Sequence, residues 1–262
     1  MIYLKTDEEI ELMRVSNLLV GKTLGELSKW IAPGITTLKL DKIAEEFIRD
    51  NGGVPGFLGY AGSSNTLCVS VNETIVHGIP SSATLREGDI VSIDCGAVVD
   101  GYNGDSAYTF AVGEVEPRVR ELLTTTKEAL YLGIAQAVEG NRIGHIGNAV
   151  QEHCEKRGFS VVREFVGHGT GKELHEDPEV PNYGHQGRGP RLVPGMTIAI
   201  EPMICQYDCK IKQLSDGWTV KTKDGGLAAH FEHSNAILKD RTEIMTRFWD
   251  DPDFDPETFS LK

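Results

Sequence analysis

The order of patterns along the 262 residues predicts a mixed α/β fold built from two similar halves. Three observations predict it. Two stretches of helical periodicity precede a β-rich region, and the same helix–helix–strand order then repeats. The phrase Glu87-Gly88-Asp89-Ile90-Val91-Ser92-Ile93-Asp94 aligns with Pro194-Gly195-Met196-Thr197-Ile198-Ala199-Ile200-Glu201. In both, a turn glycine is followed six residues later by a carboxylate that ends an apolar strand. This matching context points to an internal duplication, against which stands coincidence between two ordinary strands.

The elements follow in order. Thr6-Asp7-Glu8-Glu9 has capping-box spacing, in which the Thr6 hydroxyl accepts from a backbone N–H and Glu9 reaches back. The helix it opens continues through Ile10, Met13 and Leu18 to Pro33-Gly34. A second follows Thr37, with Leu40, Ile43, Ala44 and Phe47 on one face, and stops at Asn51-Gly52-Gly53. From Phe57 to Val112, the runs LCVSV, DIVSID and SAYTFAV alternate with Gly and Asn turns and predict strands. Pro117 opens a third helix through Val119, Leu122, Leu123, Thr126 and Leu130, and a fourth spans about Ile146 to Gly158. Strand character returns in SVVREFVG, MTIAIEP, WTVKT and AAHFEHSNAIL. The expected organisation is one domain over 1–248 and an acidic, proline-containing tail over 249–262.

Composition narrows the function. Lys and Arg number 26 against 39 Asp and Glu, a net charge of −13, which argues against a DNA-binding track because phosphates require a basic face. No apolar run approaches the ~18–20 residues of a membrane span. The N-terminus is acidic within ten residues and lacks the basic-then-apolar layout of a signal peptide. Five cysteines without paired C-x-x-C spacing suit a reducing, cytoplasmic setting, and Cys205 with Cys209 lacks the second pair of a structural zinc site. Nothing in the sequence demands more than a monomer.

The acids within the strands need an explanation. Asp94 and Glu201 each end a β-branched run, Asp105 begins SAYTFAV, and Glu232 sits inside AAHFEHSNAIL. An unpaired carboxylate inside a sheet is costly. No basic residue is built into the same strands, so divalent cations are the natural partners. His168 lies among Gly167, Gly169 and Gly171, where glycines allow the backbone close to a metal. These glycines have the wrong spacing for a dinucleotide fingerprint.

The ordered set Asp94, Asp105, His168, Glu201 and Glu232 resembles the five-ligand dinuclear centre of the methionine aminopeptidases. The phrases VNETIVHGIP, GDIVSIDCGAVVDGYNGDSAYTF, VGHGTGKELHEDP, PGMTIAIEPM and FEHSNAIL carry the resemblance over roughly residues 5–245. It implies a pita-bread fold, two pseudo-symmetric halves around a curved antiparallel sheet with flanking helices. It implies removal of the initiator methionine from nascent chains with a small second residue, by two divalent metals (Co, Mn, Fe or Zn) and a bridging hydroxide. Asp94 would chelate one metal, Asp105 and Glu232 bridge the pair, and His168 and Glu201 complete the second. Glu201 would also be the general base, His77 would stand beside the scissile nitrogen, and His175 would bond the substrate carbonyl. The methionine pocket would be formed by Tyr60, Cys68, His77, Leu174 and Trp218, with an exposed hairpin aromatic as the competing reading of Trp218. Leu174 replaces the usual phenylalanine and Ser63 a tyrosine of some members, which implies a wider pocket. His145, His153, His185 and His230 are expected to be structural, and His233 to face away from Glu232.

Two alternatives share the fold. Xaa-Pro aminopeptidases and prolidases generally carry a separate N-terminal domain, whereas only two helices precede the β region here. Metal-free peptide readers lose ligands, whereas all five residues are present. The absence of a long helical insertion between His175 and Glu201, and of an N-terminal zinc finger, resembles type I of the family. Lys210, Lys212, Lys221 and Lys223 around Trp218 form the one locally basic stretch and a candidate contact with the ribosome.

Overall fold

The computed structural model describes residues 1–247, so the expected tail over 249–262 lies outside the described residues. Helix α1 (Asp7–Ser28) begins with the capping box: Thr6 Oγ1 accepts from Glu9 N–H at 3.2 Å, and the Glu9 carboxylate accepts from Thr6 N–H at 3.0 Å. It ends at Ser28, short of Pro33. Lys29 and Trp30 N–H tighten onto the Glu26 and Leu27 carbonyls, and the residue before Pro33 is steered out of helical geometry. Helix α2 (Thr37–Asp50) is capped by Thr36 and stops at the expected Asn-Gly-Gly.

Helix α3 (Pro117–Gln136) has Pro117 at its first position. Helix α4 spans Ile143–Glu155 rather than Ile146–Gly158, because the His145 imidazole accepts from Arg142 N–H at 3.0 Å and caps an earlier start. Leu24, Leu40, Ile93, Leu122, Ile146 and Ile200 share one hydrophobic core, in which α1 and α2 pack mainly on first-half strands and α3 and α4 on second-half strands.

All strand pairs are antiparallel. In the first half, Ile90–Val99 is central, pairing with Tyr102–Ala111 on one side and with Leu67–Val71 and Val54–Pro55 on the other. Asp100 and Gly101, with φ of 50° and 80°, make the tight Asp-Gly turn of that hairpin and set its register. The second half contains a five-stranded sheet in the order Thr242–Ile244, His233–Ile237, Thr197–Ile200, Gly167–Gly169, Glu176–Val180. Two further three-stranded sheets complete the β structure of the described residues. SVVREFVG yields only the short strands Ser160–Val161 and Gly167–Gly169, and WTVKT only Val220–Thr222. AAHFEHSNAIL is two strands, Ala228–His230 and His233–Ile237, with Glu232 in the break between them rather than inside a strand.

The aligned phrases fold alike. Gly88 and Gly195 both take left-handed backbone, with φ of 87° and 90°. Gly88 N–H donates to the Val112 carbonyl and Gly195 N–H to the Ile237 carbonyl, both at 2.9 Å, at the end of the strand each phrase pairs with. Asp94 and Glu201 therefore occupy matching positions in two antiparallel strand pairs, although Asp94 lies within Ile90–Val99 and Glu201 just past Thr197–Ile200.

Gly104 shows how closely helix and sheet approach. A Cβ there would stand 2.6 Å from the Ser16 carbonyl carbon of α1, so Gly104→Ala must separate α1 from the strand that carries Asp105. Overpacking of this kind costs roughly 1–3 kcal/mol. Chemical denaturation of Gly104→Ala should show that loss, and wild-type stability would contradict the close approach.

Candidate metal centre and substrate cleft

Strand register gathers the first acids. Asp94 pairs with Ala107 and Gly96 with Asp105, so the period of two puts Asp94 and Asp105 on one face as diagonal neighbours. Cys68 pairs with Asp94 and joins that face. The segment carrying Glu232 is fastened alongside: Glu232 N–H donates to the Ala107 carbonyl at 2.8 Å, Ser106 Oγ to the Glu232 carbonyl at 2.5 Å, and Ser234 Oγ to the Asp105 carbonyl at 2.9 Å. Glu201 enters at the end of Thr197–Ile200, its carbonyl accepting from Asn182 Nδ2 at 2.9 Å.

His168 completes the cluster. Its flanking glycines are required by space, since a Cβ on Gly167 would collide with the Ala199 carbonyl and one on Gly169 with the Asp177 carbonyl. His168 Nδ1 donates to the Gly169 carbonyl at 2.9 Å, because a carbonyl can only accept. The Nε2 lone pair of the neutral ring therefore faces Asp105 Oδ2 at 3.7 Å and Glu201 Oε1 at 3.5 Å. A lone pair aimed at two carboxylate oxygens is repulsive until a cation lies among them. Ligand atoms of Asp105, His168 and Glu232 lie within 4.8 Å of one another. Asp94 Oδ1, Asp105 Oδ1 and Glu232 Oε1 are buried with no hydrogen-bond partner among the described residues. The donor set, four carboxylates and one imidazole oriented by a carbonyl, fits divalent metal ions.

Protonation follows the same electrostatics. Burial pushes Asp94 up to about 7 and Glu201 to about 8. Asp105 is raised by burial and by the charges of Asp94 and Glu201, and Glu232 by burial and by Asp105, Glu201 and Asp94. Burial lowers His168 to about 3 and His77 to about 4, and lowers His175 as well.

These groups open into a cavity of about 430 Å³. Tyr60, Cys68, His77, Leu174, His175 and Trp218 all line it, as does Ser63. Tyr60 OH lies 2.7 Å from His175 Nδ1, and the His175 ring lies 4.2 Å from that of His168, centroid to centroid. His77 has φ of 59° and packs edge-on against Trp218 and Phe165, at 5.7 and 5.5 Å between ring centroids. Trp218 is half-buried in this wall rather than an exposed hairpin aromatic. Leu174 is 4% exposed and forms part of the apolar surface.

The other histidines divide. His153 meets Glu128 at 2.8 Å, and His145 caps α4. His233 is buried away from the cluster, held by Thr246 Oγ1 at 2.8 Å and Tyr131 OH at 3.2 Å. His230, expected to be structural, instead lines the cavity with Nε2 at 3.5 Å from Glu201 Oε2. Its one signal in the sequence, standing two residues before Glu232, fails as strand alternation because the strand breaks between them. Phe165 carried no such signal, because it lies in the irregular stretch between two short strands.

The sequence profile of metallopeptidase family M24 matches residues 11–238. A methionine aminopeptidase of Clostridium acetobutylicum is 51% identical over 247 residues, covering 94% of this chain and 99% of the relative. The crystal structure of methionine aminopeptidase from Thermotoga maritima superposes with a TM-score of 0.93 at 44% identity, covering 94% of this chain and all of that one. A Xaa-Pro dipeptidase from Bacillus anthracis has a TM-score of 0.73 at 23% identity, with 61% of its length covered, and shares the fold.

The raised carboxyl groups give a signed prediction. Each binds its proton more tightly in the folded chain than in the unfolded one. Without metal they therefore contribute stability at acid pH that is lost as pH rises to between about 7 and 8. A cation competes with those protons, so its stabilising effect should grow with pH. Mn²⁺ at roughly a hundredfold excess over its dissociation constant should contribute about 2.7 kcal/mol. Thermal unfolding should show a larger Mn²⁺-induced rise in Tm at pH 8 than at pH 6, and equal Tm with and without Mn²⁺ at both would rule the centre out.

Proposed function

Because the chain belongs to metallopeptidase family M24, we propose that it is a metalloaminopeptidase that removes the initiator methionine from nascent proteins and peptides, preferring a small second residue. Its repeated halves and antiparallel sheets form the pita-bread fold. The observation that carries the reading is the His168 Nε2 lone pair facing the carboxylates of Asp105 and Glu201, beside Asp94 and Glu232.

Asp94, Asp105, His168, Glu201 and Glu232 would hold two divalent ions, and Mn, Fe, Co or Zn all suit carboxylates with one imidazole. When bound, these ions supply Lewis-acid activation of a water and of the scissile carbonyl. Glu201 takes the proton from the attacking water through a carboxylate oxygen. His175 Nδ1 lies 2.7 Å from Tyr60 OH; in the tautomer in which that hydroxyl donates, the neutral ring carries its proton on Nε2, and that N–H would donate to the carbonyl oxygen as negative charge develops there. His77, neutral because burial lowers it, bonds the scissile nitrogen and assists its protonation as the amine leaves.

The methionine side chain enters the wall of Tyr60, Cys68, Leu174 and Trp218, where a thioether gains contact with aromatic and sulfur surface. Leu174 leaves more room than an aromatic ring at that position. Leu174→Phe should therefore sharpen preference for methionine over bulkier N-terminal residues, read as the ratio of kcat/KM for Met-Ala-Ser and Phe-Ala-Ser. An unchanged ratio would remove Leu174 from the pocket.

The same reading makes the protein a cytoplasmic monomer that meets its substrates at the ribosome. All five cysteines are free, and among the described residues no helix is long and apolar enough to cross a membrane. Of the four lysines around Trp218, Lys210 lies 2.9 Å from Asp208 and Lys221 2.7 Å from Glu73. Reversing the charge of Lys210, Lys212, Lys221 and Lys223 should reduce co-sedimentation with ribosomes. Unchanged sedimentation would exclude that surface.

Release of methionine from Met-Ala-Ser but not Met-Leu-Ser, with protein reconstituted with Mn²⁺ or Co²⁺, tests the activity directly. Glu201→Ala should lower kcat by at least the roughly 10²–10⁴-fold of a lost general base. Turnover of Xaa-Pro peptides in place of Met-Ala-Ser would move the protein to the proline-specific branch of the fold. No turnover of either would favour a binding module.

A further inference from the structure

His230 is a buried titratable group of the cleft that this chemistry leaves without a role. It is 2% exposed, at the end of the strand Ala228–His230, with Met203 as its register partner. Its backbone is held on both sides by one hydroxyl. Thr109 Oγ1 accepts from His230 N–H at 2.9 Å and donates to the His230 carbonyl at 2.7 Å. Thr109 has one proton and it is engaged, so Ser92 Oγ, 2.8 Å away, must be the donor to Thr109. Ser92 stands two residues before Asp94 on the same face, so the strand that aims Asp94 also locks the position of His230.

The side chain is the unusual part. His230 Nε2 has no hydrogen-bond partner among the described residues, and Glu201 Oε2 lies 3.5 Å from it. Glu201 Oε1 lies 3.5 Å from His168 Nε2. The two oxygens of Glu201 are thus divided between two imidazoles. The Gly169 carbonyl compels His168 to present a lone pair. Among the described residues no carbonyl holds the Nδ1 of His230, so its ring can carry its proton on Nε2. A carboxylate accepts and cannot donate, so the complementary state is an N–H on that nitrogen. Closing the gap by about 0.3–0.5 Å brings the pair into ordinary N–H···O range and removes the cost of an unsatisfied buried nitrogen.

We propose that His230 is a positioning residue for Glu201: its Nε2–H donates to Glu201 Oε2, which directs Oε1 toward His168 and the metal side and fixes the orientation of the carboxylate. This rests on the metallopeptidase reading above. It extends that reading to a residue whose neighbourhood in sequence gives no reason to separate it from the structural histidines.

The test exploits the shapes of two amides. The side-chain nitrogen of Gln reaches the place of histidine Nε2, whereas that of Asn reaches only the place of Nδ1. Mn²⁺ is titrated by calorimetry into the metal-free wild type, His230→Leu, His230→Asn and His230→Gln, after circular dichroism and thermal unfolding show that each is folded. Loss of a group that orients a metal ligand weakens binding about 10–100-fold, and that loss is expected for His230→Leu and His230→Asn. His230→Gln should recover most of the affinity. The same pattern should appear in kcat for Met-Ala-Ser with KM little changed.

Wild-type affinity in His230→Asn or in His230→Leu would overturn the proposal. Loss in His230→Gln equal to that in His230→Leu would also overturn it, and would make Nε2 a metal ligand instead. Should one variant fail to fold, the remaining comparison with His230→Gln still decides. Absence of Mn²⁺ binding by the wild type would overturn the metallopeptidase reading itself, an outcome distinct from failure of the variants alone.

Discussion

Four carboxylates and the lone pair of His168 are gathered in one buried cleft, and that juxtaposition is unfavourable without a cation. Burial raises Asp94 and Glu201 toward neutrality, and repulsion among the acids adds to the effect at Asp94, Asp105 and Glu232. A fold optimised only for stability would not place these groups together. The surrounding structure can be understood as the scaffold that holds this costly arrangement, and divalent ions are what turn it from a liability into a site.

The scaffold works by close backbone approach. Gly167 and Gly169 sit against the Ala199 and Asp177 carbonyls, and Gly104 lets α1 lie directly over the strand bearing Asp105. Hydroxyls then fasten the strands at their crossing: Ser106 to Glu232, Ser234 to Asp105, and Thr109 to His230. Matching antiparallel strand pairs in the two halves deliver Asp94 and Glu201, so one repeated motif supplies a carboxylate from each half. The inexact repeat is informative as well. The break at Phe231–Glu232 has no counterpart in the continuous strand Tyr102–Ala111, and it lets Glu232 turn into the cluster.

The histidines show how one side chain is given different tasks by its second nitrogen. A carbonyl on Nδ1 makes His168 a lone-pair donor, whereas the Tyr60 phenol, able to donate or accept, anchors His175 through Nδ1 without fixing its tautomer. Left-handed backbone and two aromatic edges hold His77 at the pocket wall. His233, adjacent to Glu232 in the chain, is fully engaged by Tyr131 and Thr246 and belongs to the core.

Much of this was legible in the residues alone. Capping chemistry, glycine turns and periodicity act within a few residues, so the start of α1, the whole of α2 and the Asp-Gly hairpin follow from local sequence. Acids in apolar strands announced a cation site because nothing nearby in the chain could neutralise them. Unrecognised local bonds shifted two boundaries, α1 stopping before Pro33 and His145 starting α4 early, whereas His230 looked like any buried histidine because its cleft partners are distant in the chain. Phe165 entered the cavity from a stretch with no periodicity. The sequence by itself determined which residue types carry the chemistry and the order in which they occur, because period and capping are properties of neighbours along the chain. Only the tertiary structure decided which nitrogen of each imidazole faces the acids and which side chains close the pocket, because those contacts join residues that no local pattern connects.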